Sequence, residues 1–204
     1  MSVGAWTLAL FSAAAFSALA ANEARLAGLA PHPASLLVWA AEIVGALLGL
    51  VLLSYTAVLL SVTAVPVWSE NRRLLPGHFV AASLGSASAF LELFGFLVPA
   101  TQIVGLAASA WETLVGAAIE FRGRAVDRPL RHGKCGWAAR IGGTLAGPVA
   151  LALRIFGGSA SAEGREWAAI CFISGALASR YAWLWAGRAS TRDPETLFHL
   201  QRKG

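Results

Sequence analysis

A long stretch without charge constrains this chain most. No charged residue occurs between Leu47 and Val65, and five further segments are nearly as apolar. Only 13% of the 204 residues are charged, whereas a soluble domain carries about 25%. Too little polar surface remains to cover a water-soluble globule. The sequence therefore predicts a polytopic membrane protein.

The six apolar segments have the length of membrane-spanning helices. About 20 apolar residues cross the hydrocarbon core as a helix, and backbone groups in lipid must be hydrogen-bonded within the segment. The alternating pattern of a barrel strand is absent. We predict an all-α fold, a membrane helix bundle forming a single domain over residues 1–204. The six helices should cover approximately 4–21, 36–64, 78–97, 100–119, 137–156 and 167–187.

The first segment also shares a feature with signal peptides. Ala18, Leu19 and Ala20 resemble a signal-peptidase site. However, a signal peptide begins with a positive region, and no Lys or Arg precedes Arg25. The sequence therefore favours a retained helix over a cleaved one.

Basic residues are distributed unequally between the two ends of the helices. Six helices place both termini on the side that also holds the 65–77 turn and the 120–136 loop. The opposite side has Arg25 and Arg165, with Arg154 near a helix end. Because cytoplasmic loops are enriched in Lys and Arg, we predict that both termini are cytoplasmic. The first side holds eleven basic residues: Arg72, Arg73, Arg122, Arg124, Arg128, Arg131, Lys134, Arg188, Arg192, Arg202 and Lys203.

The net charge of +5 follows from this loop bias, so no nucleic-acid partner is expected. A membrane b-type haem needs axial ligands inside the bundle. All four histidines are predicted in loops, in the tail or at a helix end: His32, His78, His132 and His199. Cys135 and Cys171 have no metal-binding spacing. We expect no bound haem and no protein-bound metal, so any redox centre should belong to a partner.

Three stretches resemble the polysulfide reductase NrfD-like family. YTAVLLSVTAVPVWSENRRLLPGHFVAAS, from Tyr55 to Ser83, resembles the family's signature turn. MSVGAW at Met1 resembles the start of an internal helix, and Ser179 to Arg202 resembles the C-terminal helix and tail. The resemblance implies an integral subunit of a quinone-linked oxidoreductase complex in the bacterial inner membrane. Such a subunit exchanges electrons between menaquinone or ubiquinone and a partner iron–sulfur subunit, with a molybdopterin subunit as a further partner.

The resemblance covers only the later six helices of that family, whose members have additional helices before the MSVGAW-like segment. A truncated product, a start assigned too late and a naturally short variant are all compatible with this difference. The alternative function is a non-catalytic membrane anchor of such a complex. A small transporter fits less well, because no inverted repeat is visible.

Charged and phenolic side chains inside apolar segments are the candidates for chemistry. Glu42 and Glu92 lie at similar depth near the outer ends of their helices. If the two carboxylates lie close together they would share a proton, as suits a site beside a quinone. The alternative is that each carboxylate independently contacts a lipid headgroup or a loop amide. Tyr55 lies mid-helix, where its phenol bonds a quinone carbonyl or, more simply, packs. Glu42, Tyr55 and Glu92 are thus the quinone or proton candidates.

Glu112 and Arg180 lie at matching depth, roughly 20 Å from the outer surface at about 1.5 Å per residue. An unpaired Arg at the centre of a bilayer costs about 3 kcal/mol on insertion scales. We predict a buried ion pair between Glu112 and Arg180, or another buried acceptor for Arg180.

The polar turn between the second and third segments has two interpretations. Pro66 is expected to end the preceding helix, and the residues after it are either interfacial anchors or a docking site for the partner subunit. Arg pairs well with carboxylates on such a partner. The candidate docking residues are Trp68, Glu70, Arg72, Arg73, Arg192 and Asp193.

Reporter fusions test the predicted topology. Fusions after Arg73 and Arg128 should give a cytoplasmic signal, and fusions after Asn22 and Arg165 a periplasmic one, because of the unequal loop charges. A periplasmic signal after Arg73 or Arg128 would show that the topology is wrong.

Overall fold

The computed structural model describes residues 3–28, 33–157 and 162–192. These residues form helices joined by short turns, and no β-strand occurs among them. The predicted all-α class is confirmed. The chain divides into two compact units, Met1–Ala57 and Val58–Gly204, so a single domain over the whole chain stays a prediction.

The first unit contains α1, Val3–Leu26, and most of α2, Pro33–Ser61. Most of their large apolar side chains are exposed, as expected for helices that face hydrocarbon. One close contact joins the two helices. A Cβ atom added at Gly4 would collide with the ring of Tyr55. Gly4 of the MSVGAW segment is therefore required for this packing of Tyr55.

The second unit begins with the last turn of α2, followed by a short helix at the polar turn. α2 ends at Ser61, and Pro66 is the first residue of α3, so the prediction that Pro66 ends a helix is wrong. Proline suits a first helical position, where its missing N–H would have no intrahelical acceptor. The helices that follow α3, Pro66–Glu70, are α4, Leu74–Leu93; α5, Pro99–Arg122; α6, Arg128–Arg131; α7, Gly133–Thr144; α8, Ala150–Phe156; and α9, Ala162–Ser190.

Five described helical segments are long and apolar enough to cross a membrane. They are Val3–Leu26, Leu36–Ser61, Leu74–Leu93, Pro99–Arg122 and Gly133–Phe156. These spans agree with a multi-pass membrane protein. α9 is as long as α2, with 29 residues, but it is more polar and is not among the five. The sixth membrane span and the orientation of the termini remain predictions.

Small residues hold the second unit together. Ala82, Ala108, Phe172 and Ala176 share one buried cluster with residues of the α7–α8 segment. A Cβ added at Gly85 would collide with Phe172 and would lie 2.7 Å from the Ala108 side chain. Membrane helices associate through such close packing, since lipid provides no hydrophobic driving force between them.

α7 and α8 are joined by a π-helical turn, Leu145–Val149. Gly147 has a non-helical backbone there (φ −89°, ψ −105°), and Pro148 follows it inside the turn. Pro cannot donate a backbone hydrogen bond and therefore favours a kink. A Cβ at Gly147 would lie 2.9 Å from Thr113 Oγ1, so α5 closely approaches the kink.

Substitution of Gly85 by Ala should destabilise the second unit. The added methyl group meets Phe172 and Ala108, and overpacking of this kind costs about 1–3 kcal/mol. Gly143→Ala is the matched control, because a Cβ there meets no atom within 4 Å. The free energy of unfolding of each purified variant is measured by denaturation in mixed micelles. Equal stability of the two variants would contradict the packing described here.

Candidate functional site

The first group of buried charges surrounds Glu92 on α4. Glu92 is 1% exposed. Arg154 of α8 donates from Nη1 to Oε1 at 3.0 Å and from Nη2 to Oε2 at 2.8 Å. Arg165 of α9 donates from Nη2 to Oε1 at 2.9 Å. Paired guanidinium–carboxylate bonds of this kind are the strongest hydrogen bonds in proteins.

The same guanidinium groups also bind the start of α5. Arg154 donates from Nη1 to Gln102 Oε1 at 3.1 Å. Arg165 donates from Nη2 to Thr101 Oγ1 at 2.9 Å and to the Val98 carbonyl at 3.1 Å. We call Glu92, Arg154, Arg165, Gln102 and Thr101 the Glu92 cluster. It links α4, α5, α8 and α9, and its geometry is that of a structural clamp.

The Glu92 cluster corrects the predicted position of one arginine. Arg165 was predicted in a loop but lies in α9 and is only 7% exposed. Arg154 lies in the last turn of α8, near a helix end as predicted, yet it is only 1% exposed. Both Glu92 oxygens are occupied by guanidinium groups rather than by a second carboxylate. Glu42 is exposed on α2 in the first unit, and a role shared by the two glutamates stays a prediction.

The second buried group contains His78, Glu112 and Ser179. His78 is 1% exposed on α4, and its Nδ1 lies 2.9 Å from Oε2 of Glu112 on α5. The other ring nitrogen, Nε2, lies 3.2 Å from Oγ of Ser179 on α9. The prediction that His78 lies at a helix end is wrong, because α4 begins at Leu74 and places the imidazole one turn inside the helix.

The predicted direct ion pair between Glu112 and Arg180 is not formed. Arg180 donates from Nη2 to Ser83 Oγ at 2.6 Å, and its guanidinium lies 5.6 Å from the centre of the Phe79 ring. Helix α4 packs extensively against both α5 and α9, and its residues His78 and Ser83 contact the two charged groups instead. Arg180 has thus found the alternative acceptor that the sequence analysis allowed.

An apolar cavity of about 410 Å³ lies between α5 and the α7–α8 kink. We call it the Glu112 cavity. Glu112 and the pair formed by Glu120 and Arg140 all line it, and the two glutamates are about 12 Å apart along α5. Its other lining residues are Thr113, Gly116, Ala117, Ile119, Leu130, Ala139, Gly143, Thr144 and Pro148.

Two features suit the Glu112 cavity to binding a ligand. A Cβ added at Gly116 or Gly143 would meet no atom within 4 Å, so both glycines border empty space. Oε1 of Glu112 is buried and has no hydrogen-bond partner among the described residues. A carboxyl group backed by an imidazole, at an apolar cavity, can hydrogen-bond a ligand and exchange a proton with it.

A second cavity, of about 470 Å³, lies at the polar turn. We call it the arginine cavity. The predicted docking residues Glu70, Arg72 and Arg73 line it. Its other lining residues are Ser69, Asn71, Leu74, Arg122 and Arg124.

Two buried contacts hold the turn in place. Trp68 donates from Nε1 to the Trp183 carbonyl at 3.0 Å, and its ring packs on Gly187. Asn71 is 2% exposed and donates to Asp127 Oδ1 at 2.7 Å. Trp68 therefore fastens the turn to α9 rather than lining the cavity.

The remaining candidates lie elsewhere. Tyr55 packs on Gly4 in the first unit, and Arg192 is exposed at the end of the described residues. Asp193 lies outside them. No cluster of three or more potential metal ligands occurs in the part of the chain that the structure describes. The buried positions of His78, Arg154 and Arg165 were not predicted. A helix start at Leu74 instead of residue 78 would have indicated the buried position of His78.

Comparisons with protein-family models, curated proteins and solved structures return no match for this chain.

Removal of the Glu92 charge should destabilise the second unit. Glu92→Gln leaves two buried guanidinium groups without a counter-charge, and breaking a buried ion pair costs about 3–5 kcal/mol. Glu42→Gln is the control, since Glu42 is exposed. Detergent unfolding of the purified chain measures both variants.

A double-mutant cycle tests whether the effect arises from the pair. Glu92→Leu with Arg154→Leu should be less destabilising than the sum of the two single changes, because the double variant leaves neither Glu92 nor Arg154 buried without the other. The loss of the carboxylate partner of Arg165 is common to Glu92→Leu and the double variant, so it cancels in the cycle. Additive losses would contradict the proposed coupling.

Proposed function

We propose that this chain is an integral membrane subunit that binds a quinone in the Glu112 cavity and serves a quinone-linked oxidoreductase complex. The observation that carries the proposal is the unpartnered Glu112 oxygen at an apolar cavity, with His78 behind the carboxyl group. The resemblance of three sequence stretches to NrfD-like subunits agrees with this role.

The dimensions and chemistry of the cavity support a quinone. Ligand pockets measure about 300–1,000 Å³ and combine apolar walls with a few polar groups, and this cavity of about 410 Å³ has that character. A quinone ring and its isoprenoid tail are apolar, and the ring carbonyl needs a hydrogen-bond donor. Protonated Glu112 supplies such a donor.

The residues behind Glu112 suit proton transfer. Conversion of a quinone to a quinol takes up two electrons and two protons. In this proposal Glu112 gives one proton to a quinone carbonyl and is reprotonated from His78 Nδ1, which lies 2.9 Å from Oε2, and the second proton follows by the same route. Ser179 bonds the opposite ring nitrogen and so orients the imidazole. The electrons would come from a partner iron–sulfur subunit, as in the family that the chain resembles.

The proposal includes an orientation. Both termini lie in the cytoplasm of a bacterium, and α9 crosses the inner membrane as the sixth helix. The loop bias of eleven basic residues against two supports it. The arginine cavity and the Glu120–Arg140 end of the Glu112 cavity then face the cytoplasmic side.

A non-catalytic anchor is the second candidate. Of the residues first considered for quinone or proton chemistry, Glu92 is fully paired, Glu42 is exposed and Tyr55 packs on Gly4. The quinone proposal then depends on the Glu112 cavity alone. A chain that binds no quinone but still assembles with its partner subunit would favour the anchor.

Filling the Glu112 cavity should abolish quinone binding. A Cβ added at Gly116 meets no atom within 4 Å, so Gly116→Leu should extend its side chain into the cavity and leave the fold intact while binding of a short-chain ubiquinone weakens at least tenfold. Equilibrium dialysis with the purified chain measures the affinity.

Ala107→Leu is the matched control on the same helix. Ala107 is exposed and lies outside the cavity lining, so this variant should bind as the unaltered chain does. Binding that is absent from the unaltered chain, or unchanged by Gly116→Leu, would overturn the proposal.

A further inference from the structure

The arginine cavity concentrates positive charge in a way that the quinone proposal does not use. Arg72 and Arg73 follow α3, whereas Arg122 and Arg124 come from the end of α5. Glu70 is the one carboxylate in the lining. Four arginines against one glutamate leave a formal surplus of three positive charges around a single cavity.

Three of these arginines are available to a ligand. Arg72, Arg73 and Arg122 are exposed and have no ion-pair partner among the described residues. Arg124 makes only a long bond from Nη1 to the Glu70 carbonyl oxygen, at 3.5 Å. Guanidinium groups bind phosphate through two parallel N–H···O bonds, so the cavity has the donors that a phosphate group needs.

The cavity is built on fixed backbone. Asn71, between the arginines and α3, is buried and bonded to Asp127 and to the Val67 carbonyl. Trp68 is bonded to the Trp183 carbonyl on α9. The backbone that carries Arg72 and Arg73 is thus positioned before any ligand arrives, which reduces the entropy lost on binding.

The position along the helices identifies the ligand. Leu74 begins one candidate membrane span and Arg122 ends another, so a bilayer crossed by these two spans would have its headgroups at the level of the cavity. Phe121 is 88% exposed and Leu114 is 63% exposed on the same face of α5, seven residues apart. An acyl chain packed along this face would place its headgroup phosphate beside Arg122.

We propose that the arginine cavity binds the phosphate of an anionic glycerophospholipid. Basic pockets at the ends of membrane helices suit such headgroups. The headgroup level of the cavity and the exposed apolar face below it favour a lipid over an acidic partner protein. This inference does not depend on quinone binding, because no residue lines both cavities.

The test compares lipids retained by the full chain. The protein is reconstituted in nanodiscs of equal phosphatidylglycerol and phosphatidylcholine, and the tightly bound lipid is measured by native mass spectrometry after transfer to detergent. Phosphatidylglycerol should be enriched at least tenfold. The triple variant Arg72→Gln, Arg73→Gln, Arg122→Gln should lose this enrichment. Arg188→Gln, which removes an exposed arginine outside the cavity, should retain it.

Two further arms keep the result interpretable. The triple Arg→Lys variant preserves the loop charge that governs insertion but removes the guanidinium fork, and it should retain less phosphatidylglycerol than the unaltered chain. Inorganic phosphate at millimolar concentration tests a free-ion source. If phosphate raises the melting temperature of the unaltered chain but not that of the triple Arg→Gln variant, the cavity recognises phosphate, and free phosphate is also a ligand.

Three outcomes would overturn the proposal. The first is equal retention of both lipids without stabilisation by phosphate. The second is an unchanged enrichment in the triple Arg→Gln variant. The third is that the triple Arg→Gln variant no longer assembles with an acidic partner subunit but retains lipid as the unaltered chain does. That result would make the cavity a protein-docking site.

Discussion

The pairing of Glu92 with two arginines is the interaction on which the second unit depends. Charges in hydrocarbon are costly unless they are paired and hydrogen-bonded, and here one carboxylate receives three hydrogen bonds from Arg154 and Arg165. The arginines also bind Gln102, Thr101 and a backbone carbonyl of the turn before α5. Four helices are therefore fixed at one end, while small residues pack their middle.

The opposite end of the unit is fastened by different chemistry. Trp68 and Asn71 tie the polar turn to α9 and to Asp127 through neutral and charge-assisted hydrogen bonds. This arrangement leaves the arginines exposed around a cavity. Because the turn is held by the side chains of Trp68 and Asn71, Arg72 and Arg73 remain exposed.

The sequence indicated the helices well and their neighbours poorly. Apolar length locates five of the six predicted spans. Pro66 was predicted to end a helix, but in the structure it begins one, as Pro99 does. Hydropathy does not indicate which helices are neighbours. The sequence therefore predicted Arg180, instead of His78, as the partner of Glu112. A four-residue error in the start of α4 was enough to hide a buried histidine. Neither cavity could be predicted, because each depends on where two helices diverge.

The π turn at Leu145–Val149 sets the phase of everything that follows it on the same segment. A π turn holds one more residue than an α turn, and one residue corresponds to about 100° of rotation. With the non-helical backbone of Gly147 inside the turn, the side chains of α8 do not continue the faces of α7. Pro148 of the kink lines the Glu112 cavity, and Arg154, further along the same segment in α8, pairs with Glu92, so one irregular turn connects the cavity wall to the buried charge.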